Sequence, residues 1–232
     1  MFFYDEWITK KNTIGEAEFI LKFLASDDEA IRVFHEGTQA ELGTAISVIT
    51  SVPVGVFVQN IDQMNLSSEV ESIDIPQFSS FGAATNRLPE ILEFAPDGLP
   101  FNEIGFQLVK SPNDTAGRKY GENHAKLAEM LELVEIHYRP SKVTSTKLGK
   151  YLLGFQPEEK KELLKRLLIR QNIMKKLIHE AGKGKVEYMN EVLSLSKSTA
   201  ARRGRNVKML MDYILTGTDE EVRINRIDWG VK

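Results

Sequence analysis

Two short clusters of cationic and amide side chains carry the chemistry most visible in this sequence. Arg118, Lys119 and Asn123 form one, and Arg202, Arg203, Arg205 and Asn206 form the other. An arginine can give two hydrogen bonds to a guanine edge, an asparagine can pair with adenine in the same way, and lysines and arginines neutralise phosphates. Both clusters stand at matching places in an internal repeat. Thr115-Ala116-Gly117-Arg118-Lys119 recurs 84 residues later as Thr199-Ala200-Ala201-Arg202-Arg203. Upstream, Asn102-Glu103-Ile104 parallels Asn190-Glu191-Val192, and the amphipathic stretch 86–95 parallels 172–181. Matched features in one order argue for a duplicated unit rather than coincidence.

Each copy reads as helix, turn, short helix, turn, longer helix. The last helix of the second copy is expected to begin at Ser198 or Thr199, both good N-caps, and Val207, Leu210, Met211 and Ile214 give it an i, i+3, i+4, i+7 apolar stripe. In the first copy Asn113 or Asp114 is the expected cap, with core positions at Leu127, Met130, Leu131 and Val134. The basic residues crowd the N-terminal halves of both helices, where the helix dipole disfavours them. That electrostatic cost, present twice, points to an outside anion. After the first copy, Val134 to Arg139, the tip Pro140-Ser141-Lys142 and Val143 to Thr146 predict a β-hairpin. Arg139 and Lys142 at its tip are suited to phosphates. Pro157, followed by Glu158 and Glu159, opens a helix with the stripe Leu163, Leu164, Leu167 and Leu168.

Residues about 80–216 resemble the paired winged-helix regions of prokaryotic proteins, among them recognition regions of some restriction endonucleases and domains appended to certain ATPases. The resemblance is carried by Tyr120-Gly121-Glu122-Asn123-His124-Ala125-Lys126-Leu127, by Thr146-Lys147-Leu148-Gly149 after the hairpin, and by Thr199-Ala200-Ala201-Arg202-Arg203. It implies a fold that binds double-stranded DNA, with the third helix of each unit in the major groove and the hairpin as the wing on the backbone.

The remaining sequence sets the frame. Residues 1–116 hold 6 Lys/Arg against 18 Asp/Glu and residues 117–232 hold 24 against 15, so a net charge of −3 conceals an acidic and a basic half. Residues 1–75 are expected to form a small acidic domain. In it, Thr13 caps a helix with Ala17, Ile20, Leu21 and Leu24 on its apolar side, a short helix runs from Asp27 to Glu36, and strands run within Val48 to Val58. Ser67 to Ser80 reads as a linker. The expected fold is therefore helix-rich α+β: a small N-terminal α/β-containing domain (1–75), then two winged-helix units in tandem (80–152, and 153–232 with the linking helix). A homodimer contact or a protein partner is assigned to the acidic domain.

No catalytic constellation emerges. The chain has no cysteine, which excludes disulfides and thiolate metal sites. Residues 23–109 contain no lysine for a metal-dependent nuclease strand, and Glu159-Lys160-Lys161 falls in a helix. His35, His124, His137 and His179 lack ligand spacing, and no phosphate loop or nucleophile elbow is present. The expectation is a DNA-binding protein without cofactor or metal, cytoplasmic and nucleoid-associated, since the N-terminus lacks a signal peptide and no apolar run spans a bilayer. Two alternatives stand beside it: a small restriction endonuclease with a divergent metal-dependent site in the N-terminal part, and a winged-helix scaffold for protein contacts.

Overall fold

A computed structural model describes residues 13–66, 69–110 and 114–230. The chain is helix-rich, with two short strand pairs among the described residues. It divides into two compact units. Of the described residues, a central unit takes those within Ile31–Ala45 and Gln77–Lys160, and a composite unit takes those up to Ala30, those within Ile46–Pro76 and those from Lys161 onward.

In the central unit, Ser80 caps the first helical segment by accepting a hydrogen bond from Ala83 N. A π-helical turn, Ala83–Arg87, then passes into α5 (Leu88–Glu93), whose Leu88, Ile91 and Leu92 are buried. Gly98, at φ +83°, turns the chain so that Leu99 exchanges both backbone hydrogen bonds with Val143. A Cβ at Gly98 would lie 2.6 Å from Val143 O, so glycine answers both the dihedral and the approach. Next come α6 (Phe101–Val109) and α7 (Asp114–Met130). The antiparallel pair β1 (Val134–Tyr138) and β2 (Ser141–Ser145) comes after them, with Val134 opposite Ser145 and Tyr138 opposite Ser141. Thr146 then caps α8 (Lys147–Tyr151).

The composite unit begins with α1 (Thr13–Leu24). Helices α2 (Asp28–Glu36) and α3 (Gln39–Ser51) each have residues counted in both units, and α4 (Val54–Gln63) is wholly composite. From its C-terminal part come the end of α9 (Pro157–Ile169), then α10 (Asn172–Lys183), β3 (Val186–Glu187), α11 (Tyr188–Glu191) and α12 (Lys197–Leu215). A 3-10 segment, Glu221–Arg226, leads to β4 (Ile227–Asp228), which pairs in parallel with β3. Its core holds Phe23 and Phe57 edge-to-face at 6.1 Å, with Ile61, Leu167, Leu177 and Ile214 also buried. Each such side chain contributes about 1.5–3 kcal/mol on removal from water.

Several sequence expectations are corrected here. Residues 48–58 hold no strand: α3 runs to Ser51, and α4 starts after Pro53. β-branched residues suggested strand, but the buried positions Leu42, Ala45, Ile46 and Ile49, then Val54, Phe57, Val58 and Ile61, repeat at helical spacing. The described N-terminal residues are thus helical rather than α/β. The compact units cut the chain elsewhere than 75 and 153, because α1, the end of α3 and α4 cluster with the helices after Lys161. The stretch after Ser68 is packed rather than a free linker, since Val70, Ile75 and Phe78 are buried. The final helix is capped by Ser196, not Ser198 or Thr199: its Oγ accepts from Thr199 N. No hairpin comes after α12 among the described residues. Helix α2 begins one residue later than expected, with Asp27 accepting from Glu29 N. Leu21, expected on the apolar side of α1, is exposed, and Phe19 and Phe23 take that role. The Thr13, Ala17 and Asp114 side chains and all of Asn113 lie outside what is described. No single helix among the described residues is long and apolar enough to cross a membrane.

Candidate nucleic-acid interface

Helix α7 is fixed from one side by glycines. A Cβ on Gly105 of α6 would stand 1.7 Å from Gly117 O, and one on Gly121 would stand 2.0 Å from Phe101 O. The two helices therefore cross with their backbones in contact, which only glycine permits. His124 supplies a second anchor. Its Nδ1 lies 2.7 Å from Tyr120 O and its Nε2 3.3 Å from Ser80 N, an arrangement that holds the ring neutral with the proton on Nδ1. Burial holds its pKa below the usual histidine value, and the bond to Tyr120 O only partly opposes this. The ring also stacks on Tyr120 at 4.1 Å. With Ala125, Leu127, Ala128 and Leu131 buried as well, one side of α7 is committed to packing.

The opposite side carries the predicted residues. Arg118 and Lys119 are exposed in the N-terminal half of α7, and Asn123 lies one turn further on, half-buried. Lys126 is exposed and pairs with Glu122. The hairpin is built onto the end of this helix. Glu129 accepts from Ile136 N at 3.0 Å, and burial raises its pKa. Glu132, at φ +57°, turns the chain after α7 and meets His35 Nε2 at 2.7 Å. Thr146 Oγ1 donates to Glu132 O at 2.6 Å and accepts from Gly149 N at 2.9 Å. Gly149 comes so near Leu133 O that a Cβ would stand 2.0 Å away. The motif Thr146-Lys147-Leu148-Gly149 thus fastens the hairpin's base. At its tip Arg139 is exposed and Lys142 half-buried, with the His137 and Thr144 side chains joined across the strands at 2.9 Å.

The second cluster is divided. Arg202 and Arg205 are exposed on α12, and Asn206 is half-buried. Arg203 turns inward instead: its Nη1 donates to Ser72 O and, at 3.0 Å, to Ile75 O. Burial, then the neighbouring Arg202, lowers its pKa. Its assignment to a DNA face is corrected accordingly, because its charge is spent on the end of a 3-10 turn in the same unit. Gly204 opens room for the buried Tyr188 ring, 2.9 Å from where a Cβ would sit.

Sequence reasoning missed a set of buried cations in the composite unit. Lys165, Arg166, Arg170, Lys175 and Arg223 are all buried. Three cations serve helix C-termini, where the last carbonyls lack partners and carry partial negative charge. Lys175 Nζ donates to Leu24 O at 2.7 Å, ending α1. Arg166 donates to Val52 O at 2.9 Å beyond α3 and to its neighbour Glu162. Arg226 donates to Ala181 O at 3.0 Å in the last turn of α10, whereas Arg223 donates to Ile178 O at 2.8 Å further back along the same helix. Arg223 also holds Asp62 and Glu220, which raise its pKa. Lys175 is pushed down to about 8, by burial and then by Arg170 beside it. Part of the basic surplus of the C-terminal half therefore works inside the molecule. One signal was available: Lys175 and Arg166 sit within apolar stripes, between Met174 and Leu177 and between Leu164 and Leu167.

The four histidines stand apart from one another, each with its own partners, His179 bonding Ile61 O at 3.1 Å. Among the described residues no group of three or more His, Asp or Glu side chains is placed to hold a metal ion. Comparison with known proteins returns no match: no family model, curated protein or solved structure is significantly similar to the chain.

Proposed function

We propose that the chain binds duplex DNA sequence-specifically, as a recognition module or regulator. In this reading the central unit is a winged helix: α5, the Leu99 bridge, α6, α7 and the β1–β2 hairpin succeed one another in the order of that fold. Helices α10, α11 and α12 form a second, wingless helix-turn-helix unit. The observation that carries the reading is the two-sidedness of α7. One side is locked to α6 and Ser80, while the N-terminal half offers Arg118 and Lys119 to solvent, and the hairpin that follows the helix exposes Arg139 at its tip. Arg118, Lys119 and Asn123 would meet base edges. Arg139 and Lys142 would hold phosphates, and Arg202, Arg205 and Asn206 of α12 would add contacts from the second unit.

Selection from a random duplex library, with and without magnesium, tests this directly. Enrichment of a defined site without cleavage is expected. Affinity should fall steeply with salt, by about 0.9 log units per log unit for each phosphate neutralised. A salt slope indistinguishable from zero would remove the DNA reading. It would then favour a protein-interaction scaffold, which one feature supports: Phe94 and Phe106 are 86% and 58% exposed beside Glu93 and Glu103.

A further inference from the structure

Tyr138 has no role in the contacts assigned so far. Along β1, Val134 and Ile136 are buried and Glu135 is exposed, so Tyr138 continues the buried face of the strand. It lies past the point where that face is covered, and is 64% exposed. Among the described residues no ring stacks on it. Only Arg139 and Pro140 separate it from its register partner Ser141, and His137 beside it faces Lys142 across the pair. A large aromatic ring thus projects beside the two-residue tip, next to Arg139 in the chain, with Lys142 on the other face of the pair. The tip is stiff: Pro140 fixes its own φ, the cross-strand bond of His137 to Thr144 braces the strands, and a tyrosine has only two side-chain torsions to order.

Resting on the DNA reading above, we propose that Tyr138 is a base-stacking residue, and that the preferred ligand is duplex DNA adjoining an unpaired base. Aromatic rings flanked by cations bind unpaired bases through the π-face that every base presents, while the cations meet the backbone. In a continuous duplex both faces of each base are taken by neighbours, and opening a step is costly. The ring therefore gains most where a face is already open, at a duplex end with a single-stranded tail or at a junction. Arg139 then meets a phosphate at that boundary.

The test uses the full chain and the duplex site recovered by selection. The site is supplied as a continuous duplex and as the same duplex carrying a short 3′ or 5′ single-stranded tail at either end, with 2-aminopurine at the first unpaired position. At least one tailed duplex should bind about 5- to 150-fold more tightly than the continuous one and quench the 2-aminopurine. Tyr138→Phe should keep both effects. Tyr138→Ala should lose both, binding the tailed duplex only as well as the continuous one, and should leave continuous-duplex affinity and its salt slope unchanged. Equal affinity for all duplexes, or a preference that survives in Tyr138→Ala, overturns this inference while the DNA reading stands. Absence of salt-dependent binding to every DNA overturns both.

Discussion

The two helical triads begin alike and end differently. In the central unit α6 and α7 touch backbone to backbone through Gly105, Gly117 and Gly121. The repeat places Ala201 where the first copy has Gly117, and Arg205 where it has Gly121. A side chain at the Gly121 position forbids the same approach, since a Cβ there would meet the α6 backbone, whereas one at the Gly117 position would have room. The second helix of that copy, α11, is one turn long, and the position matching Gly105 is Leu193, which is exposed. Strand pairing diverges too: Leu99 pairs antiparallel with the hairpin, whereas Val186 pairs parallel with Ile227. The central copy thus leaves Arg118 and Lys119 outside and adds a hairpin, and the composite copy turns Arg203 inward and adds no hairpin among the described residues. Similar helix sequences determine neither the elements downstream of them nor the side of a helix that its charges serve.

The largest expected effect tests the glycine crossing. Gly105→Ala should destabilise the central unit by about 4 kcal/mol or more, since the new methyl meets backbone that cannot swing away. Ala201→Gly, at the position of the other copy that matches Gly117, should cost only about 1 kcal/mol of helix propensity. Urea unfolding read by hydrogen exchange resolves the two units. Equal costs would mean that the glycines do not set the copies apart.

The next effect separates inward from outward cations. Arg223→Ala strands Asp62, Glu220 and Ile178 O together and should cost about 3 kcal/mol. Arg118→Ala, on an exposed helix face, should stay within about 0.5 kcal/mol in the same unfolding measurement. A comparable loss at Arg118 would show that its charge is structural as well.

Acid and alkali should act on different units. His124 has a depressed pKa in the folded state, so the unfolded chain binds more protons as pH falls below the ordinary histidine value of about 6.5. Central-unit stability should be full above that pH and decline as pH falls through the folded value. His124→Gln should flatten the decline. Lys175 is depressed to about 8, so between there and the ordinary lysine value of about 10.4 the unfolded chain again holds more protons. Composite-unit stability should rise with pH across that window, and Lys175→Met should abolish the rise. Chemical denaturation across the pH range checks both, and a His124 effect confined to the composite unit would break the assignment.

What the sequence made legible was local. The stripe Val207, Leu210, Met211 and Ile214 and the hairpin after Leu133 could be read because period and turn residues lie within one short window. Arg118 and Arg202 stood out because their position opposes the helix dipole. The buried cations were not legible in the same way: Lys175 meets a carbonyl 151 residues away and Arg203 one 131 residues away, and a charge looks identical in sequence whether it faces water or a distant helix end. The helix at 54–63 was hidden by a third effect, in which Pro53 and β-branched neighbours mimicked a strand while the burial period was helical.

The smallest effect asks what the second copy contributes to DNA binding. With a hairpin after it and a glycine crossing onto α6, α7 has the supports that fix a reading helix in register; among the described residues α12 has no hairpin, and it packs on α11 through Gly204 and Tyr188 instead. Arg118→Ala should therefore relax the selected site by about ten- to a hundred-fold, the worth of one arginine–guanine pair. Arg202→Ala and Arg205→Ala should each lower the salt slope by about 0.9 and leave the preferred sequence intact, because an exposed arginine on a helix with no hairpin to hold it on the backbone neutralises a phosphate but reads no base. Arg203→Ala should alter neither slope nor preference and should show only in stability, through Ser72 O and Ile75 O. Binding the selected and a scrambled duplex over a salt series separates the three behaviours. A loss of discrimination at Arg202 or Arg205 equal to that at Arg118 would mean that α12 reads bases without a wing, and that the two copies are functionally alike despite their different frames.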